Sequence, residues 1–196
     1  MMHIGNIPHS LLYGITHISS ANANKNYIPI GDPSLISNRN SFLMPNGKTL
    51  GQYIPFYFGV RMPMLYVIQH GYNGVSTTQA EEIVYCTSNV QAIINHNLPY
   101  VFTNGHAVDN FSSFYQASQI SQIGSIIDTI AIHAKYWKDE NDLDLKRRKE
   151  AEFLVEADLP PTTIIGWVVY NEKAKTRLLD MGIAASNILV DSESYF

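Results

Sequence analysis

No apolar run in this chain is long. Asn, Ser or Gly interrupts every one. That pattern limits what can fold, because a membrane-spanning helix needs roughly 18 consecutive apolar residues. No span and no membrane partner are therefore expected, and short elements separated by turns must share a core. The material for a core is present: 45% of the 196 residues are hydrophobic and 11% aromatic. A chain of this length buries about 70% of its unfolded surface, and disorder, which goes with few aromatics and many charges, is excluded. One domain spanning 1–196 is expected. The first ten residues carry neither a basic nor an apolar signal segment. The one cysteine, Cys86, has no internal disulfide partner, so a cytoplasmic protein is the natural reading.

Local patterning reads as strands at Leu11 to Ile18, Tyr53 to Phe58, Met64 to Ile68, Ile83 to Thr87, Tyr100 to Thr103, Ala151 to Val155, Ile164 to Tyr170 and Ile188 to Val190. Asp32-Pro33-Ser34 marks a helix start, and Pro45-Asn46-Gly47 a turn. Ser88 is expected to cap a helix through about Asn97, and Asn171 one that stops at Gly182. Ile120, Ile123, Ile127, Ile130, Ala134 and Trp137 recur at intervals of 3 and 4, the period of an amphipathic helix. Ser19 to Gly31, rich in Asn, reads as loop. Strands outnumber helices in mixed order, which predicts an α+β fold rather than a doubly wound sheet.

Several chemistries lack their motifs. There is no G-x-G-x-x-G, no H-E-x-x-H and no G-x-S-x-G. Gly47-Lys48-Thr49 imitates the end of a phosphate-binding loop, but the required first glycine would fall at Phe42, so the turn reading wins. With one cysteine and no two histidines four apart, no metal is expected. The net charge of −4 argues against a general duplex-DNA coat and leaves room for a small nucleic-acid site. Lys146, Arg147, Arg148 and Lys149 lie together in a stretch, Lys138 to Glu150, with 10 charged residues in 13.

Three segments stand out together: Ile54-Pro-Phe-Tyr-Phe-Gly-Val-Arg-Met-Pro-Met-Leu-Tyr66, Thr103-Asn-Gly-His-Ala107 and Arg147-Arg-Lys-Glu-Ala-Glu-Phe-Leu-Val155. Ile15-Thr-His-Ile18 and Gly31-Asp-Pro-Ser-Leu-Ile-Ser-Asn-Arg39 accompany them. From about Leu12 to Val169 the chain resembles the DarT family of bacterial toxins, which ADP-ribosylate single-stranded DNA using NAD. The resemblance implies an ADP-ribosyltransferase-like fold: central, mostly antiparallel β-sheets forming an NAD cleft, flanked by helices. It also implies transfer to a base, with the Ile-Pro-Phe-Tyr-Phe branch pointing to a ring nitrogen of thymine. A macrodomain antitoxin of the DarG type is the implied protein partner.

Such a reaction breaks the nicotinamide–ribose bond through an oxocarbenium-like ribose, so the site must hold its substrate rigidly and stabilise positive charge. Glu152 is the expected carboxylate. It sits in an apolar strand where a charge is unexpected, although alternation with Phe153 would also suit a solvated face; Glu150 and Glu156 are its neighbours in competition. The resemblance makes Arg39 the second catalytic residue. It assigns NAD binding to His17, Tyr57, Arg61, Met64 and His106, and to an Asn-rich loop in which Asn22, Asn24 or Asn26 could serve, Asn22 being carried forward. This loop, Ser19 to Ile30, is shorter than the family's helix and Gly-Leu pair. Each position has a plainer reading: His17 as a core histidine, His106 as turn polarity, Tyr57 as core beside Phe56 and Phe58, and the arginines as surface charges.

Single-stranded DNA is gripped by aromatic stacking and a few cations. Phe111, Phe114, Tyr115, Tyr136 and Trp137, with Lys135, Lys138 and the Lys146–Lys149 cluster, could line such a groove; equally, the rings could pad a core and the charges face water. Transfer to RNA or protein, or a non-catalytic NAD- or ADP-ribose-binding module, are the alternatives. A nuclease built on Asp139, Glu140, Asp142 and Asp144 is a poorer fit to a charge run.

Overall fold

The computed structural model describes all residues, Met1–Phe196. The strands in chain order are β1 (Met2–His3), β2 (Ile54–Tyr57), β3 (Ile83–Thr87), β4 (Tyr100–Thr103), β5 (Phe114–Gln116), β6 (Glu152–Val155), β7 (Gly166–Val169) and β8 (Ile188–Val190). The helices are α1 (Ile7–Tyr13), α2 (Pro33–Ser41), α3 (Pro63–His70), α4 (Val90–Asn95), α5 (Ile123–Ile126), α6 (Thr129–His133), α7 (Leu145–Lys149) and α8 (Glu172–Asp180). Mixed helices and two sheets make the α+β class that patterning predicts. Two compact units are present, both discontinuous in sequence. The first comprises Met1–Asp32, Leu65–Leu98 and Asp158–Phe196; the second comprises Pro33–Met64 and Pro99–Ala157.

In the first unit the sheet order is β1-β3-β7-β8, antiparallel except for the β7–β8 pair. Ile4, Ile7, Val84, Val169, Ala174 and Leu178 form its core. The Tyr195 hydroxyl donates toward the carbonyls of Ile83 and Val168, each at 3.0 Å. Asn171 caps α8 as expected, its side chain accepting from the Ala174 N–H at 3.0 Å.

In the second unit the order is β2-β6-β4-β5, all antiparallel. Strand β6 runs between two neighbours, and all four of its residues are buried. Phe153 packs with Phe58, Tyr100 and Phe102. Leu154, one residue on, joins Met44, Leu50, Tyr53, Val101 and Ala107. Pleating places successive side chains on opposite faces, so Glu152 shares the face of Leu154.

Four local expectations fail, each for a physical reason. Leu11 to Ile18 is not a strand: α1 ends at Tyr13, and only Ile15 pairs, in an isolated bridge to Leu159. Pro8 in the first turn and Gly14 at the C-cap, with φ of 78°, define the helix. A Cβ on Gly14 would also strike the Leu159 carbonyl oxygen. Met64 to Ile68 lies in α3, because a short apolar run after a proline fits a buried helix as well as a strand. Asn89, not Ser88, caps the helix that follows β3. The 3-and-4 stripe from Ile120 is broken: Ile127 is extended, with φ −83° and ψ 123°, and Asp128 caps a new helix by accepting from the Ala131 N–H at 2.9 Å. Consequently Ile130 is exposed.

Candidate active site

The second unit builds its site on the first residue of β6. Glu152 is 0% exposed. Ionised carboxylates are rarely buried this fully without partners, and Glu152 has them. Its Oε1 accepts from the Ala107 N–H at 2.9 Å, and its Oε2 accepts from Arg39 Nη1 at 2.9 Å. The backbone N–H of Glu152 donates to Thr103 Oγ1 at 3.1 Å, and that hydroxyl donates to the Gly105 carbonyl at 2.6 Å. Thr103 and the Ala107 N–H are site-shaping groups that sequence reasoning missed. The motif Thr-Asn-Gly-His-Ala contains both, but only the closure of its turn reveals their aim.

Arg39 lies in the last turn of α2, whose start Asp32-Pro33 announces. Its other terminal nitrogen, Nη2, is buried with no protein acceptor. A guanidinium presents a fixed fork of donors, so one arm holds Glu152 while the other is available to an oxygen of a bound molecule. That orphaned donor suits the phosphate, ribose or carbonyl oxygens of a dinucleotide and its acceptor base.

Tyr57 stands directly opposite Glu152 in the β2–β6 ladder, on the same face of the sheet. Its phenol is pushed well above its ordinary value, first by burial and next by the negative charge of Glu152. His106 is half-buried in the turn after β4. Burial lowers its imidazole pKa, against the opposing pull of Glu152. Arg61 is half-buried with φ of 53°, a left-handed backbone seldom adopted by a non-glycine residue. Met64 occupies the first turn of α3 and is half-buried. Glu152, Arg39, Tyr57, Arg61, Met64 and His106 thus all belong to this unit.

His17 and Asn22 belong to the first unit. The His17 N–H donates to Asp158 Oδ1 at 2.8 Å, and its Nδ1 lies 2.7 Å from Ser19 Oγ. Asn22 is exposed, its N–H donating to Ser20 Oγ at 2.9 Å. Asn24 instead contacts Asn6 at 3.5 Å, and Asn26 donates its N–H to the Asn24 side chain at 3.0 Å.

Glu150 and Glu156, the competing acids, are engaged elsewhere. Glu150 accepts from Lys146 at 2.8 Å, and burial raises its carboxyl pKa. Glu156 pairs with Lys48. Lys149 is buried and donates to the carbonyls of Val60, Ile132 and Ala134 at 3.2, 3.4 and 2.7 Å. Burial, then the charge of Arg61, lowers its amine to about 8.

Next to the turn lies an open pocket of about 510 Å³ lined by residues including His106, Asp109, Phe111, Leu143, Lys146 and Glu150. Phe111 is 84% exposed, and Tyr136 is also exposed. Phe114 instead faces Phe42 across 6.4 Å, and Tyr115 stacks on Phe102 at 5.3 Å. Of the two readings of the basic cluster, the cationic groove is weakened by self-neutralisation: Arg147 pairs with Asp144, and Arg148 with Asp128, Asp142 and Asp144.

A sheet that presents a buried carboxylate with an arginine and a facing tyrosine fits the ADP-ribosyltransferase that the family resemblance implies. Comparison with known proteins narrows the class. All of residues 1–196 match the family described as ssDNA thymidine ADP-ribosyltransferase, DarT. A DNA ADP-ribosyl transferase of Escherichia coli O127:H6 (strain E2348/69 / EPEC) is 32% identical over 180 residues, covering 91% of this chain and 82% of that protein. The Thermus sp. 2.9 DarT solved with ADP-ribosylated ssDNA superposes with a TM-score of 0.85 at 28% identity, covering 100% of this chain and 93% of that one. The same protein with NAD+ gives a TM-score of 0.78 at 27% identity, with coverage of 100% and 94%. A Thermosipho africanus fusion of DNA ADP-ribosyl transferase and DNA ADP-ribosyl glycohydrolase is 27% identical over 177 residues; the chain covers 43% of its length. The chain belongs to the DarT family.

Proposed function

We propose that this protein transfers ADP-ribose from NAD to thymine in single-stranded DNA, releasing nicotinamide, with Glu152 as its essential carboxylate. The observation that carries the reading is the burial of Glu152 at 0% exposure with its oxygens fixed by Arg39 and the Ala107 N–H. The NAD-bound and ADP-ribosylated-ssDNA forms of the Thermus relative support the same substrates.

NAD supplies the ADP-ribosyl group and a nicotinamide leaving group. Glu152 stabilises the positive charge that develops on ribose as the glycosidic bond breaks, and it takes the proton of the incoming thymine ring nitrogen. Arg39 holds that carboxylate with Nη1 and uses Nη2 to orient oxygens of the phosphates and the acceptor base. Tyr57 presents its ring to nicotinamide. Arg61, Met64 and His106 complete the NAD contacts made by the second unit; the family resemblance also assigns NAD binding to His17 and Asn22, and exposed Phe111 and Tyr136 stack on bases of the strand.

The two units, interleaved along the chain, act as one transferase domain; neither can be excised as a continuous segment. A DarG-type macrodomain antitoxin that removes the mark is the natural partner, a reading favoured by the fusion of transferase and glycohydrolase in the Thermosipho relative. The protein works in the cytoplasm, where NAD and single-stranded DNA meet; no helix is long and apolar enough to cross a membrane.

The test is incubation with NAD and pooled oligonucleotides, RNA and protein, followed by mass spectrometry. Addition of one ADP-ribose to thymine, abolished in Glu152→Ala, is expected. Full transfer by Glu152→Ala would remove Glu152 from the reaction, and NAD binding without nicotinamide release would make the protein a binding module.

A further inference from the structure

Arg147, in the Lys146–Lys149 cluster, turns its side chain inward, where 12% of it is exposed. Its Nε and Nη2 donate to the two oxygens of Asp144 at 2.6 and 2.7 Å, a bidentate pair. Its Nη1 reaches Ser112 Oγ at 3.3 Å and the Asn104 side-chain and main-chain oxygens at 3.4 and 3.5 Å. These contacts fasten both ends of the turn that follows β4. The turn is closed by the Ser113 N–H donating to the Asn104 side chain at 2.8 Å.

Gly105 lies directly beneath the guanidinium: a Cβ there would collide with Arg147 Nη1 and Ser112 Oγ. At the backbone, the His106 N–H donates to the Arg147 carbonyl at 2.9 Å. The next N–H, that of Ala107, donates to Glu152 Oε1 at 2.9 Å. Arg147 therefore holds, by side chain and main chain, the turn that supplies one of the two fixed donors on the carboxylate.

We infer that Arg147 is a positioning residue for Glu152, acting through the His106–Ala107 turn, rather than a cation that grips DNA phosphate. The inference rests on Glu152 being the reacting carboxylate. Its physical basis is that only a rigid fork of five donors serves Asp144, Asn104 and Ser112 together. A lysine at this place would retain the charge and lose the geometry. Displacement of a catalytic group by about 1 Å can cost on the order of 100-fold in rate.

The test compares Arg147→Lys, Arg147→Gln, Gly105→Ala and Glu152→Gln in the full chain. Gly105→Ala displaces the guanidinium while every charge is kept. For Arg147→Lys and Gly105→Ala, kcat is expected to fall by about 10- to 100-fold, more than any rise in KM for NAD that passes through His106, with Kd for a thymine-containing oligonucleotide within about 2-fold of the parent. The thermal midpoint should stay above assay temperature, and the slope of DNA affinity against salt should be unchanged. Wild-type kcat in both variants overturns the inference. So does a charge-removing Arg147→Gln that keeps kcat and weakens DNA binding with a shallower salt slope, which would make Arg147 a phosphate contact. If Arg147→Lys unfolds, Gly105→Ala decides; unfolding of both would make the contact purely structural and overturn the inference. Wild-type transfer by Glu152→Gln would sink the underlying reading instead, so the two failures are separable.

Discussion

At the scale of single residues, the central fact is a buried charge pair. Glu152 is 0% exposed and the Arg39 side chain 13%. Removing one partner of a buried pair leaves the other charge uncompensated, which costs more than losing both. Arg39→Gln is therefore expected to destabilise the chain, whereas the double variant Arg39→Gln/Glu152→Gln recovers part of the loss. A coupling energy of at least about 1 kcal/mol should appear in urea denaturation of the four chains of the cycle; additivity would show that the pair is not coupled in solution.

His106 offers a second readout. Burial lowers its pKa below the ordinary value of 6.5, so between the folded value and 6.5 the unfolded chain binds more protons than the folded one. Its contribution to stability thus rises with pH through that window and is flat above it. An NMR titration should place its midpoint below 6.5, leaving a neutral ring at neutral pH.

Among elements, the strap from Asp128 to Glu150 shows how charge patterning misleads. Its basic run resembles a nucleic-acid patch, yet Asp128, Asp142 and Asp144 turn Arg147 and Arg148 into internal clasps. The Asp128 carboxyl is held low first by the Ala131 N–H and that of Asp144 first by Arg147. Groups with a depressed pKa stabilise the fold above their unfolded value, and that stabilisation is lost as pH falls through the folded one. The strap should stay closed from neutrality down to about pH 4 and loosen below that, as reported by Trp137 fluorescence in a chain whose other tryptophan, Trp167, is replaced by Phe. Within the first unit, α8 is held by wholly buried Leu178. Leu178→Ala is expected to cost about 2–5 kcal/mol in urea denaturation.

For the whole molecule, interleaving is the governing feature. Removing 158–196 takes β7, α8 and β8 from the first unit and leaves β3 paired only to the two-residue β1. Two-stranded pairs are marginal in water. The shortened chain is expected to lose its cooperative urea transition, and retention of that transition would show that this sheet is dispensable. What was legible in the chain was the material close together along it. β3, β4 and β8 fall at their expected positions, and Asn171 caps α8, because alternation, β-branched content and capping are local chemistry. The family resemblance singled out Glu152, Arg39 and Tyr57, and the fold brings the three together in one unit. Local patterning did not distinguish α1 and α3 from strands, since a short apolar run fits either period and packing decides. Nor could it show that the Ala107 N–H and Arg39 converge on one carboxylate, or that Arg147 faces inward. These groups lie 45, 113 and 35 residues from their partners Glu152, Glu152 and Ser112. Only tertiary folding brings such separations within hydrogen-bond reach, because sequence pattern specifies which face a side chain takes and not what will stand opposite it.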